Sequence, residues 1–238
     1  MRINITNINA SISTINNTTL ANFSSGAEVY QDADYNTGLG SGVLSSLTTG
    51  YNNTALGYQA LTNTTLGKYN VALGDSALLA NTWGGHNVAI GASALSSNTT
   101  ASYNVAVGHE ALKGWTTGQY NVAIGYQALT TNTGGNSNTA VGKGSMLECT
   151  TGGSNCALGT ASLQDLTGGI YNIGVGYRTG GYSTVLSTGD YNILIGSDAH
   201  TSSSDAQHQI VIGTYQDQAK GNSTGFIQPN GGGVYQGN

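Results

Sequence analysis

Proline, cysteine and charged side chains are scarce in this chain, and the scarcity of cysteine and of basic residues argues against two classes of protein. The 238 residues include one proline and two cysteines, and 7% are charged. Two cysteines are too few for a disulfide framework. Six lysines and arginines against eleven acidic residues give a net charge of −5, which argues against a basic nucleic-acid-binding face. No apolar run is long enough to span a bilayer. We therefore expect neither a nucleic-acid partner nor membrane insertion.

Glycine is abundant instead, with 37 residues, and it recurs at a fixed period. The clearest repeated segment is YNVAIG at 120–125, and close copies end at Gly74, Gly91 and Gly108. We call the closing residue of each copy the anchor glycine. Successive anchors are separated by eight steps of 17 residues, one of 20 and one of 17: Gly40, Gly57, Gly74, Gly91, Gly108, Gly125, Gly142, Gly159, Gly176, Gly196 and Gly213. Such a period is typical of stacked-repeat proteins.

Residues at equal distance from the anchor form columns. Alanine stands two before the anchor in seven consecutive copies, Ala55 to Ala157, between positions that are mostly Val, Ile, Leu or Thr. This alternation predicts a strand with Val and Ile on one face and Asn and Ala on the other. We expect the Val, Ile and Leu columns to form the core. Asparagine stands four before the anchor and predicts a ladder of side-chain hydrogen bonds along the stack, through Asn53, Asn70, Asn87, Asn104, Asn121, Asn138, Asn155 and Asn172.

The other half of the repeat carries an Ala-Leu pair, a threonine and a second glycine. It predicts a short second strand, a polar turn and a glycine corner. Regular Ala-Leu pairs also suit a helix, but the segments between glycines are too short and too rich in Gly, Asn, Thr and Ser. The predicted fold is all-β: a β-solenoid of about eleven coils, roughly 50 Å long at the strand spacing.

The core of one such solenoid is thin, because each coil offers only about four apolar side chains, often alanine. Burial of so little apolar surface is weak compensation for the entropy of ordering the chain. Association of several solenoids side by side would bury the remaining apolar stripe, and cyclic symmetry is the usual outcome.

The Asn-Val-Ala-Ile-Gly segments resemble the YadA-like head repeats of trimeric autotransporter adhesins, and similar repeats occur in phage tail fibres and other virion fibres. The resemblance covers roughly residues 35–213 and implies a left-handed parallel β-roll and a homotrimer. This chain departs from the adhesin pattern in its longer repeat and in the tyrosine that often precedes the asparagine.

The repeat divides the chain into three parts. Residues 35–213 form the solenoid, 214–238 a glycine-rich cap or tip, and 1–34 an attachment or trimerisation segment that we expect to contact other virion proteins. The spacing of Ile5, Ile8, Ile12 and Ile15 suits a trimeric coiled coil, and an extended arm is the alternative. The first residues do not form a secretion signal, which favours folding in the producing cell and release with a particle.

No motif in the sequence predicts catalysis, a cofactor or a metal. A GxSxG elbow with supporting Asp and His is absent. The densest ionisable cluster, Asp198, His200, Asp205 and His208, matches no standard zinc spacing. Cys149 and Cys156 occupy different columns, so we expect free thiols rather than a bridge.

Aromatic side chains are the candidate ligand contacts. Exposed rings beside Asn, Thr and Gly suit sugars, through stacking and hydrogen bonding. The candidates are Trp83, Trp115, Tyr58, Tyr126, Tyr182, Phe226 and Tyr235. A second group shares the column before the asparagine, where we expect the rings to stack along the coils or to fill seams between subunits: Tyr35, Tyr69, Tyr103, Tyr120, Tyr171 and Tyr191.

These observations predict a structural fibre or tail-fibre-like protein on a virion surface, in particular of a bacteriophage, that attaches to a host-surface glycan or other receptor. One alternative is a capsid or tail decoration protein without receptor binding. The other is the head of a trimeric adhesin on a bacterial cell surface.

Overall fold

The computed structural model describes residues 29–114, 117–181, 185–213 and 225–227. Within these ranges the chain forms thirteen three-residue strands and no helix, and hence no helix that could cross a membrane. All thirteen belong to one sheet in chain order. The strands are β1 (Val29–Gln31), β2 (Thr37–Leu39), β3 (Thr54–Leu56), β4 (Val71–Leu73), β5 (Val88–Ile90), β6 (Val105–Val107), β7 (Val122–Ile124), β8 (Thr139–Val141), β9 (Cys156–Leu158), β10 (Ile173–Val175), β11 (Ile193–Ile195), β12 (Ile210–Ile212) and β13 (Gly225–Ile227). The predicted all-β solenoid is confirmed.

From β2 onward every strand is parallel to the next, and equivalent columns pair. Val88 lies opposite Val105, and Val105 opposite Val122. The 20-residue step does not disturb this register, since Ile173 pairs with Ile193. One chain turn therefore advances the sheet by one strand, about 4.8 Å.

The first strand, β1, runs antiparallel to β2 and covers the N-terminal edge of the sheet. Asp32 holds the connection, because its carboxylate accepts hydrogen bonds from the backbone and side-chain N–H groups of Asn36. Burial alone would raise the pKa of Asp32, but these donors outweigh it and the pKa is lowered. An antiparallel cover of this kind protects a sheet edge from pairing with another chain. Strand β1 belongs to the predicted attachment segment 1–34, of which residues 1–28 lie outside the described residues.

The buried column of each strand is its central residue. The prediction that the Val, Ile and Leu columns form the core is therefore wrong for the strand columns and holds only for the leucines of the Ala-Leu pairs. Ala89, Ala106 and Ala123 are fully buried, while the residues on either side of them face outward. The interior is filled from one side by alanine and asparagine and from the other by the Ala-Leu pair, such as Ala128 and Leu129. Because the large leucine occupies the narrow lumen, only a small residue fits opposite it.

The predicted second strand is also absent from the described coils, where consecutive turns follow each anchor glycine. Gln127 and Leu129 have positive φ angles, of 54° and 52°, and equivalent residues in other coils do the same. Left-handed residues curl the chain, whereas a strand needs extended backbone. A leucine pays a penalty of about 1–2 kcal/mol in this region, and burial of its side chain in the lumen offsets it.

The asparagine ladder is present as predicted. Asn121 donates from Nδ2 to the carbonyl oxygen of Gly135 at 2.9 Å, across its own coil. Its Oδ1 accepts the backbone N–H of Asn138 in the next coil at 3.0 Å. Each asparagine therefore closes the cross-section of one coil and fixes the position of the next, and the whole column is buried.

Candidate binding surfaces

The outer face of the sheet carries a surface that is apolar except at Thr37, Thr54 and Thr139, and we call it the apolar stripe. It consists of the two strand columns that flank the buried alanines, from Thr37 and Leu39 to Ile210 and Ile212. Several of its side chains are exposed: Leu39, Leu56, Val71, Leu73, Ile124, Leu158, Ile173, Ile195 and Ile210. Columns about 7 Å apart over about 50 Å give an area on the order of 400 Å². A patch of this size is comparable to the largest apolar patch on a typical monomer, and such patches are often functional.

A stacked aromatic ladder borders the strands on their N-terminal side. Rings of Tyr69, His86, Tyr103 and Tyr120 lie 4.8, 4.9 and 5.0 Å apart between successive centroids, with interplanar angles of 19°, 8° and 7°. Tyr191 stacks on Tyr171 and His208 in the same way, at 4.9 and 5.0 Å. The predicted stacking of this column along the coils is confirmed for these residues. Each ring occupies one place in a ladder, so that the column has a structural role.

The other aromatic candidates lie outside this ladder. Trp83 stands in the polar turn and is 66% exposed, while Tyr58 and Tyr126 follow their anchors and are about half exposed. Tyr58 and Tyr126 are four coils apart, or about 19 Å, so they do not share one small site. Trp115, Tyr182, Tyr235 and the side chain of Phe226 lie outside the described residues.

One groove does bring a predicted residue together with others. Tyr126 lines it with Lys143, Tyr177 and Arg178, which the sequence did not single out. Its other lining residues are Gln127, Gly144, Leu147, Thr160, Ala161 and Gln164. The signal that could have found Tyr177 is its column, because it follows an anchor glycine as Tyr58 and Tyr126 do.

The ionisable cluster near the C-terminal end forms local contacts only. His200 Nδ1 lies 2.9 Å from the Asp198 carbonyl oxygen, and Asp198 Oδ1 lies 3.8 Å from Arg178 Nε. In the part of the chain that the structure describes, no group of three or more His, Cys, Asp or Glu is placed to hold a metal.

The two cysteines are free, as predicted, and they have different environments. Cys149 is buried in the lumen, and burial raises the pKa of its thiol to about 11. Cys156 lies half-buried on the apolar stripe. The pair therefore offers one thiol that reports on the interior and one that reports on the stripe.

Comparison of the chain with protein-family models, with curated proteins and with solved structures finds no significant match. The functional assignment accordingly rests on the geometry of the stripe, the ladder and the groove.

Proposed function

We propose that the chain is a structural fibre protein of a virus particle whose copies associate through the apolar stripe, as a homotrimer, and which attaches to host-surface glycans. The observation that supports this proposal most directly is the stripe itself, an uncharged and exposed face of mainly apolar residues on an in-register solenoid. Exposed Val, Ile and Leu gain free energy when a second copy removes them from water. Cyclic symmetry lets each copy bury the same face.

Attachment to a glycan is supported by the exposed aromatic rings. Trp83, Tyr58 and Tyr126 are exposed on a solenoid whose turns are rich in Gly, Asn, Ser and Thr. Aromatic faces next to hydroxyl and amide groups are suited to sugar rings. The low charge of the rod restricts the electrostatic attraction of unrelated partners.

Two rival assignments use the same fold. A decoration protein would share the stripe and the trimer but bind no receptor, and the head of a bacterial adhesin would sit on a cell rather than a particle. Antibody labelling of native particles in electron micrographs separates these locations. Labels confined to fibre or tail tips support the proposal, labels spread over the capsid support decoration, and labels on bacterial cells alone support the adhesin.

The association is tested by charging the stripe. Val122→Lys with Ile124→Lys places two lysines on the outward face of β7, which stays solvated in a single chain, so we expect a folded monomer. The unmodified protein is expected to sediment as a trimer at micromolar concentration in analytical ultracentrifugation, with far-UV circular dichroism to confirm the fold. Thr100→Lys with Thr151→Lys, at exposed turn positions, is the matched control and should remain trimeric. A monomeric unmodified protein would overturn the association.

Thiol reactivity provides an independent test. In the charged-stripe monomer we expect iodoacetamide at pH 8 to modify Cys156 and to leave Cys149 unmodified, because the thiolate is the reactive form and the Cys149 thiol is buried with a pKa of about 11. In the unmodified protein Cys156 should be protected as well, at least tenfold, because the stripe is covered. Both cysteines lie on the tryptic peptide 144–178, so fragmentation of that peptide in the mass spectrometer assigns the modification to each thiol and gives both rates. Equal labelling of Cys156 in the two proteins would show that the stripe is open.

A further inference from the structure

The groove that Tyr126 lines exists because two neighbouring coils lack a side chain that the adjacent coils have. Two residues after the anchor stand Glu110, Gln127 and Arg178, but the intervening coils have Gly144 and Ala161. A Cβ built on Gly144 would have no atom within 4 Å. The surface is therefore notched over two coils, and the notch has a volume of about 420 Å³. This size is within the range of small-molecule sites.

Aromatic rings stand at the two ends of the notch. Tyr126 and Tyr177 occupy the same column three coils apart, which corresponds to about 14 Å at the strand spacing. Both rings are about half exposed. Gln127 and Gln164 add amide groups to the lining. Two ring faces with amides between them present hydrogen bonds and stacking to an elongated polar ligand.

The groove also carries two of the four basic side chains among the described residues. Lys143 Nζ lies 5.9 Å from the Tyr126 ring centroid, and Arg178 Cζ lies 5.8 Å from that of Tyr177. Elsewhere, Lys113 donates to Glu110 at 2.6 Å. A chain of net charge −5 thus places two cations beside two aromatic rings. Cations in this setting favour a carboxylate on the ligand.

Two acidic groups that lie beside lining residues of the groove have partners of their own. Glu110 accepts from Gln127 Nε2 at 2.7 Å as well as from Lys113. These bonds, that of Lys113 first, hold the pKa of Glu110 below its usual value. Asp198 Oδ1 lies 3.8 Å from Arg178 Nε. Neither carboxylate lines the groove.

We infer that the groove between Tyr126 and Tyr177 binds a carboxylated saccharide, with sugar rings against the tyrosines and the carboxylate at Lys143 and Arg178. This inference rests on the proposed attachment function and names the ligand class that the attachment uses. A neutral sugar would not use the positive charge of the two cations that line the groove.

The test is binding of the full chain to immobilised oligosaccharides that contain uronic or sialic acids, with their carboxyl-reduced forms as neutral matches. We expect the acidic forms to be retained at least tenfold more strongly, and the difference to shrink at high salt as screening requires. Gly144→Gln fills the notch with the residue that the preceding coil has at this column, where Gln127 adopts a φ of 54° close to the 61° of Gly144. This variant and Lys143→Gln should each bind the acidic oligosaccharides at least tenfold more weakly than the unmodified protein.

Ser93→Gln is the matched control, because Ser93 occupies the same column with a φ of 56° and does not line the groove. It should bind as the unmodified protein does. If the protein is retained on neutral glycans and Gly144→Gln does not change that retention, the attachment function stands and the inference about the groove is wrong. Retention on no glycan of either kind would overturn both. If Gly144→Gln abolishes binding to acidic glycans but antibodies do not label fibre tips, the groove is the binding site and the proposed attachment role is wrong.

Discussion

Replacement of Gly125 by alanine is expected to lower the free energy of unfolding by about 4 kcal/mol or more, the combined cost of a disallowed backbone angle and an overpacked contact. The φ of Gly125 is +136°, a region open to glycine alone. An added Cβ would lie 2.5 Å from the Gly142 carbonyl oxygen and 2.6 Å from its carbon. Both atoms are backbone of the next coil, so that relief requires the coils to separate. Urea unfolding followed by circular dichroism measures the change.

Gly144→Ala is the control for this prediction, since it makes the same chemical change at another positive φ. Here φ is +61° and the new methyl group has no atom within 4 Å. Ala161 already adopts a φ of 55° at the equivalent position of the next coil. We expect a change of less than about 1 kcal/mol. Equal losses for the two variants would mean that contact between anchor glycines does not limit the stacking of the coils.

The second large effect is expected for Asn121→Ala, with a loss of about 3–5 kcal/mol from broken hydrogen bonds and stranded buried groups. The change removes the acceptor of the Asn138 backbone N–H and one donor to the Gly135 carbonyl oxygen. It also removes the bond from Nδ2 to Asn104 Oδ1 at 3.2 Å. Because the column is fully buried, water cannot replace these partners without entering the lumen. The midpoint of urea unfolding reports the loss.

Asn136→Ala tests whether the loss of stability depends on the buried position of the asparagine rather than on the residue type. Asn136 is exposed, accepts the Gln119 backbone N–H at 2.7 Å and donates to the Gly134 carbonyl oxygen at 3.1 Å. Water can satisfy these groups after the substitution, so we expect a loss below about 1 kcal/mol. A loss as large as that of Asn121→Ala would refute the assignment of the ladder as the main polar support of the rod.

The period of the sequence was sufficient to predict the sheet, its register, the asparagine ladder and the stacked rings. Equal spacing forces equivalent residues to lie above one another, so that Tyr103 must neighbour Tyr120 whatever the shape of the coil. The shape itself was not predictable in this way. Period-two alternation distinguishes two faces of a strand but does not say which is interior, and here the alanine face is the buried one.

The turns after each anchor were missed for a different reason. Leucine and glutamine have no intrinsic preference for positive φ, yet Leu129 and Gln127 adopt it. Burial of the leucine side chain overrides the local preference, and no local signal in the sequence reports such an override. The groove was missed because it is formed by the lack of large side chains at two positions. Gly144 and Ala161 are unremarkable by themselves and form a notch only when compared with Gln127 and Arg178 in the same column.

The coil between Gly176 and Gly196 is three residues longer than its neighbours, yet Ile173 and Ile193 pair as if no residues had been added. Leu186 donates its backbone N–H to Gly180 and rejoins the lumen on the far side of the addition. The additional residues therefore fall between Gly180 and Leu186 in the chain and leave the pairing of β10 with β11 unchanged. Mutations can therefore lengthen or vary this segment without changing the strand pairing that sets the length of the rod. The residues that the rod exposes and the length of the rod can evolve independently.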